Sequence, residues 1–171
     1  MKIHYLKTFL FLFYVGGAAA LPDCSISGIF DNCYGTEVLY DRTYVGDWQD
    51  GKQHGQGSLT FEDGSKYVGG FNNSMYNGSG IFTWDDGGKY IGEFKDDALD
   101  GEGTQYFSDG GKYTGGFSKN KQSGQGILIS PDGDKYVGEF KEGLKHGQGT
   151  YTWTDGRNQT GLWKKDVFMG Q

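Results

Sequence analysis

The stretch Tyr44-Val45-Gly46-Asp47-Trp48-Gln49-Asp50-Gly51-Lys52-Gln53-His54-Gly55-Gln56-Gly57 decides the fold, because the chain repeats it. Its tyrosine returns as Tyr67, Tyr90, Tyr113 and Tyr136, every 23 residues and without an insertion. Two places after each tyrosine comes a glycine (Gly46, Gly69, Gly92, Gly115, Gly138), and four places after comes a large ring (Trp48, Phe71, Phe94, Phe117, Phe140). Each unit then carries a G-x-G pair, from Gly55 and Gly57 to Gly147 and Gly149, and closes on Asp-Gly, from Asp63-Gly64 to Asp155-Gly156. A fixed period of this length marks an architecture in which no unit buries its apolar face alone and stability comes from neighbouring units.

Residues two and four apart on a strand share a face. Tyr, Gly and the second ring therefore point the same way, and the glycine leaves a gap over which a ring of the next unit is expected to lie. In the second strand Gly57, Leu59 and Phe61 share a face, as do Gly80, Phe82 and Trp84. The opposite side carries Ser58 and Thr60, Ile81 and Thr83, or Thr150 and Thr152, and reads as mostly hydroxylic. Asp-Gly between such strands is a tight-turn signal. Each unit is then a hairpin. The fold class predicted is all-β, an elongated single-layer stack of antiparallel hairpins whose ten repeat strands run roughly 45 to 50 Å at the usual strand spacing.

The units fall at 44–66, 67–89, 90–112, 113–135 and 136–158. Residues 21–43 read as an amino-terminal cap, with a degenerate half-repeat from Gly35 to Asp41. Cys24 and Cys33 are the two cysteines and lie inside this cap. At this spacing, in an oxidising compartment, they are expected to form a disulfide. Residues 159–171 restart the pattern with Gln159 in place of tyrosine and then stop after Trp163. The edge strand expected there is either blunted by Lys164 and Lys165 or paired with a second copy.

These residues resemble MORN repeats, whose pattern is close to Y-x-G-x-W/F-x-x-G-x-x-H-G-x-G followed by an aromatic and D-G. The first unit matches every specified position, and the fifth, with Phe140, Gly143, His146, Gly147 and Gly149, nearly so. The middle units depart from it, with Ser74, Asp97 and Asn120 at the mid-unit glycine and Asn77, Asp100 and Ser123 at the histidine. The resemblance spans about residues 36 to 163 and implies an elongated stack of hairpins. It also implies phospholipid binding or dimerisation and scaffolding, and it is closest in form to short exported bacterial-type members without an attached enzyme domain.

Residues 1–20 have the three-part layout of a secretory signal peptide. Lys2 and Lys7 are followed by the apolar run from Thr8 to Val15, then by Ala18, Ala19 and Ala20. A helical leader cleaved after Ala20 is predicted, giving a secreted or periplasmic protein; an uncleaved membrane anchor is the alternative. The whole chain has 171 residues, 32 of them glycine, and a net charge of −6. Without Lys2 and Lys7 it has 14 basic against 22 acidic residues, or −8. That balance opposes nucleic acid and anionic surfaces.

Catalytic, metal and cofactor residues are expected to be none. His54 and His146 recur at one repeat position four units apart, too far to share a centre, and read as turn residues. The G-x-G pairs lack the helix and Gly-Lys-Ser/Thr of a phosphate loop. Acid pairs such as Asp85-Asp86 lack calcium-loop spacing and read as solvated turns. The aromatic stripe is either a core of stacked rings or an open groove for an extended peptide, a glycan or a lipid headgroup. The function read from the chain is a non-catalytic binding or scaffolding protein outside the cytoplasm, acting on an unknown protein or on itself through its C-terminal edge. The alternative is a peripheral phospholipid-binding module.

Overall fold

The computed structural model describes residues 21–24 and 30–171; the leader expected over residues 1–20 lies outside the described residues. The described residues form thirteen strands: β1 (Cys33–Val38), β2 (Arg42–Gln49), β3 (Lys52–Phe61), β4 (Lys66–Asn72), β5 (Met75–Thr83), β6 (Lys89–Lys95), β7 (Ala98–Tyr106), β8 (Lys112–Ser118), β9 (Lys121–Ile129), β10 (Lys135–Lys141), β11 (Leu144–Thr152), β12 (Asn158–Lys164) and β13 (Val167–Gly170). They make one open antiparallel sheet in which every strand pairs with its neighbours in sequence. The architecture is the all-β stack of hairpins that the 23-residue period predicts.

Two kinds of turn alternate, and each has its own chemistry. Inside a unit the strands are joined by two residues at positive φ, such as Asn73 (51°) with Ser74 (65°) and Asp96 (48°) with Asp97 (66°). Such loops turn in the sense that matches the right-handed twist of the strands they join. Between units the Asp-Gly loop is longer, and only its glycine takes positive φ, as at Gly64 (93°). The aspartate side chains are not merely solvated there. Asp63, Asp86 and Asp109 each accept a hydrogen bond at 2.8 Å from the N–H two residues on, at Ser65, Gly88 and Gly111.

The residues that depart from the repeat pattern at the mid-unit glycine turn out to link units. Asp97 accepts from the Tyr76 N–H at 2.7 Å, Asn120 from Leu99 at 2.8 Å and Ser74 from Gln53 at 3.2 Å. Their own N–H groups donate back to the same residues' carbonyls. Each hairpin tip is thus tied to the strand before it.

The carboxyl end differs from expectation in one respect, and the amino end carries the expected disulfide. The chain does not stop its sheet at Gln159–Trp163: that segment lies in β12, which pairs with β13, so β13 is the carboxyl edge. The cause is local. Lys165 (49°) and Asp166 (66°) adopt the same two-residue turn as the other units, and Phe168 packs on Trp163 with ring centroids 5.3 Å apart. At the amino end Cys24 and Cys33 are bonded, with their Cα atoms 5.0 Å apart. The bond holds residues 22–24 against β1, where the Tyr34 N–H donates to the Pro22 carbonyl at 2.7 Å and pairs that edge at this residue. Replacing both cysteines by serine is expected to lower unfolding stability by about 2–3 kcal/mol, the effect of freeing a loop of about ten residues. Urea unfolding of the oxidised protein and the variant measures it, and equal midpoints would contradict the assignment of a stabilising role.

Candidate interaction faces

The aromatic face is built one tyrosine at a time. Each tyrosine lies over two glycines that face each other across the hairpin: Gly46 and Gly57, Gly69 and Gly80, Gly92 and Gly103, Gly115 and Gly126, Gly138 and Gly149. A Cβ on Gly80 would stand 2.6 Å from the Tyr67 ring, and one on Gly57 2.6 Å from that of Tyr44. The gap in Y-x-G-x-W/F is therefore filled by the unit's own tyrosine. This corrects the expectation that a ring of the next unit covers it. The physical reason is a hydrogen bond: folded back over glycine, each hydroxyl reaches the carbonyl three residues on. Tyr44 donates to Asp47 at 2.8 Å, Tyr67 to Gly70 at 2.9 Å, Tyr90 to Glu93 at 3.0 Å, Tyr113 to Gly116 at 3.0 Å and Tyr136 to Glu139 at 3.2 Å.

The next unit contributes an edge instead. Tyr44 meets Phe71, Tyr67 meets Phe94 and Tyr90 meets Phe117 with centroids 5.0 Å apart and planes near perpendicular. Tyr113 with Phe140 (4.9 Å) and Tyr136 with Trp163 (5.3 Å) continue the series. Each tyrosine also touches the second ring of its own unit, as Tyr44 does Trp48 at 5.1 Å. Edge-to-face pairs of this kind contribute about 0.5–1.5 kcal/mol beyond their burial. No repeat tyrosine is more than 1% exposed, and Trp48, Phe71, Phe94, Phe117 and Phe140 are buried with them. The stripe is core and not an open groove.

Burial is the largest cause that raises these hydroxyls. Tyr90, Tyr113 and Tyr136 are each pushed up to about 12, and Tyr44 and Tyr67 are raised as well, from an ordinary value of 10.0. The folded chain holds these protons to higher pH than the unfolded chain does. Their contribution to stability is therefore complete below about pH 10 and is lost as pH rises from there through about 12. The thermal midpoint is expected to fall steeply across that window, and ionisation of the five repeat tyrosines, followed by residue-resolved NMR because Tyr34, Tyr40 and Tyr106 are exposed, is expected to accompany unfolding. Ionisation of a repeat tyrosine at its ordinary pH in the folded protein would contradict the burial.

The opposite face carries an aliphatic ladder that the hydroxylic reading of the second strands does not anticipate. Val45, Ser58, Val68, Ile81, Ile91, Thr104, Thr114, Ile127, Val137, Thr150 and Thr160 pair in that order across eleven consecutive strands. The correction arises because the residue after each repeat tyrosine, mostly Val or Ile, completes a row that the second strand alone leaves half hydroxylic. Val68, Ile81, Ile91, Ile127 and Val137 are each about two-fifths exposed.

Polar rows flank the ladder on both sides. On one side Lys66, Lys89, Lys112 and Lys135 alternate with Thr83, Tyr106 and Ile129. The Lys89 and Lys112 ammonium groups lie 5.8 and 5.4 Å from the centre of the exposed Tyr106 ring. Across the ladder stand Asp47, Gln56, Ser79, Glu93, Glu102, Gln125, Glu139 and Gln148, with Gly70 and Gly116 at the positions between. Asp47 and Glu139 accept the N–H of Gln56 and Gln148 at 2.9 and 3.0 Å. Between the aliphatic and acidic rows runs a shallow groove of about 1110 Å³, bounded by Val68, Ile81, Ile91, Glu93 and Glu102.

His54 and His146 lie in strands β3 and β11 and not in turns, which corrects the sequence reading. Their carbonyls accept from the Tyr44 and Tyr136 hydroxyls at 3.4 and 3.3 Å, so the backbone at these positions meets the core. Among the described residues no group of His, Cys, Asp and Glu is placed to hold a metal ion.

The MORN repeat matches the chain at residues 44–66, 67–89, 90–112, 113–135 and 136–156, more than half of its length. No curated protein matches it. Among solved structures it is similar to the TCP domain of SAS-4 (dCPAP) of Drosophila melanogaster, in complex with a proline-rich motif of Ana2 (dSTIL). There the identity is 9% and the TM-score 0.46, over 75% of this chain and 70% of that one. It is also similar to the G-box domain of the microcephaly protein CPAP, at 19% identity and a TM-score of 0.40, over 75% of this chain and 80% of that one.

Proposed function

This chain belongs to the MORN repeat family, and from that premise we propose that it is a non-catalytic scaffold that works outside the cytoplasm by contact with protein chains, its own copies included. The observation that carries the reading is the use of every repeat tyrosine in internal packing. With the rings consumed, the described residues offer a partner a long polar-flanked aliphatic face and an open strand edge. That edge is β13, whose Val167 and Met169 are more than half exposed. An open edge is a template for a further strand.

Sedimentation of the full chain from low to high micromolar concentration tests the self-assembly arm. A mass that rises with concentration supports it, and a monomer throughout removes it. Val167→Lys with Met169→Lys is expected to abolish whatever association runs through the edge, because charged side chains blunt strand pairing. Cleavage of the leader is tested by the intact mass of the protein recovered from its native host: a chain beginning at Leu21 agrees with it, and one retaining residues 1–20 does not. Export itself is tested by fractionation of that host, and a chain confined to the cytoplasm contradicts it.

Peripheral lipid binding is a second reading, favoured by the row of Lys66, Lys89, Lys112 and Lys135 beside the exposed aliphatic ladder. Juxtaposed cations and apolar side chains suit an anionic interface, whereas the net charge opposes it. Flotation with anionic and neutral vesicles decides, and a chain absent from every floating fraction ends this reading.

A further inference from the structure

The strands that carry the ladder are not all alike. β6 begins Lys89-Tyr90-Ile91-Gly92-Glu93 and β10 begins Lys135-Tyr136-Val137-Gly138-Glu139, whereas β4 and β8 have Gly70 and Gly116 in the place of the glutamate. In β6 and β10 a lysine and a glutamate thus sit two residues to either side of an exposed aliphatic residue, all on one face. Such a strand is complementary to itself turned end for end.

We propose that this face binds a second copy of the chain about a two-fold axis parallel to the ribbon's length, setting Lys89 and Lys135 of each copy against Glu93 and Glu139 of the other. The proposal rests on the reading of the chain as an assembly module and names its partner.

The symmetry follows from the charges. An axis along the ribbon reverses every strand and leaves the strand order unchanged, so each strand faces the same strand of the other copy. Ile91 then meets Ile91 and Val137 meets Val137, with the lysine row of one copy over the acidic row of the other. An axis along the strands would stack lysine on lysine and acid on acid, which costs several kcal/mol in such interfaces. Lys112 faces Gly116, but Glu102 lies directly across from Gly116 on β7 and supplies the missing carboxylate. Because sheet twist turns each face along the ribbon, the two copies coil about the shared axis, which keeps facing strands antiparallel along the length.

The face is large enough. Eight strands at their usual spacing by three residue rows give roughly 700 Å² per copy, or about 1,400 Å² in total, within the range of stable interfaces. The exposed Val68, Ile81, Ile91, Ile127 and Val137 form its apolar centre and the charges its rim, the usual anatomy of a specific contact.

Charge exchange tests this directly. Lys89→Glu with Lys135→Glu, and separately Glu93→Lys with Glu139→Lys, are each expected to weaken self-association in sedimentation at least about a hundredfold, because the pairs between 89 and 93 and between 135 and 139 all become like-charged. Mixed one to one, the two variants become complementary, and a dimer is expected to return. This rescue also shows that both variants are folded. Ile91→Cys, placed on the axis, is expected to be joined to its counterpart by a short bis-maleimide that spans the roughly 10 Å between packed sheets. Wild-type dimers that ignore both charge reversals, a mixture that stays monomeric, or a wild-type chain monomeric at high micromolar concentration would each overturn the proposal. Dimers lost only on Val167→Lys with Met169→Lys would overturn it while leaving scaffolding by edge pairing intact. Vesicle binding without any dimer would overturn it in favour of the lipid reading.

Discussion

Gly80→Ala is expected to destabilise the chain by about 3 kcal/mol or more, at the upper end of what overpacking a core produces. The new methyl would stand 2.5 Å from the Tyr67 hydroxyl oxygen and 2.6 to 2.7 Å from two ring carbons. Neither side can yield. The ring is held by its hydrogen bond to the Gly70 carbonyl and by Phe71, Tyr76 and Phe94 around it, and the methyl is fixed to a strand paired on both edges. Gly87→Ala is the control. That glycine has a φ of 87° and nothing within 4 Å of a Cβ, so its substitution meets only backbone strain, about 1 kcal/mol. Urea unfolding of the two variants separates lost space from lost conformational freedom. Equal effects would mean that the G-x-G glycines serve the backbone and not the tyrosine.

Tyr90→Ala should cost about 3–5 kcal/mol, the range for deleting a buried large ring. The loss falls on two units at once, since Tyr90 touches Phe94 of its own unit and Phe117 of the next at 5.1 and 5.0 Å. Tyr90→Phe keeps those contacts and removes only the bond to the Glu93 carbonyl, so a cost of about 1–3 kcal/mol is expected from leaving that acceptor unpaired. Thermal or urea unfolding of both variants measures the difference. A phenylalanine variant as damaged as the alanine variant would place the energy in the hydroxyl and not in the ring.

The period and the glycine phase are enough to predict hairpins stacked along one line, because a 23-residue unit with two extended segments and an Asp-Gly punctuation has few other ways to fold. What covers the glycine is not legible in that pattern. Sequence supplies a ring and a gap at fixed spacing, but whether the ring folds back or reaches forward depends on a hydroxyl finding a carbonyl three residues on. The role of Ser74, Asp97 and Asn120 is hidden for a similar reason: as departures from a repeat pattern they look like loss, and only the register shows the N–H groups they accept. Tyr76, which stacks on Tyr67 at 3.9 Å, belongs to a position held elsewhere by Gln53, Leu99, Gln122 and Lys145, so no periodicity announces it.

The exposed ladder is legible in hindsight from one signal, the Val or Ile that follows the tyrosine at Val45, Val68, Ile91 and Val137. Its weight is easily missed, because alternate rungs are Ser58 or Thr104 and the row emerges only when both strands of each hairpin are laid in register. The extra strand β13 is obscured differently. Its segment Val167-Phe168-Met169-Gly170 has Met169 at the position held by His146 in the fifth unit, yet Phe168 still seats on Trp163.

The relay of rings from unit to unit is the physical basis of the whole ribbon, and a double-mutant cycle between Tyr67 and Phe94 tests it most directly. The centroids are 5.0 Å apart at an interplanar angle of 81°, so a coupling energy of about 0.5–1.5 kcal/mol is expected, against about zero for Tyr67 with the distant Phe140. Additive effects for Tyr67 and Phe94, indistinguishable from the distant pair, would contradict it.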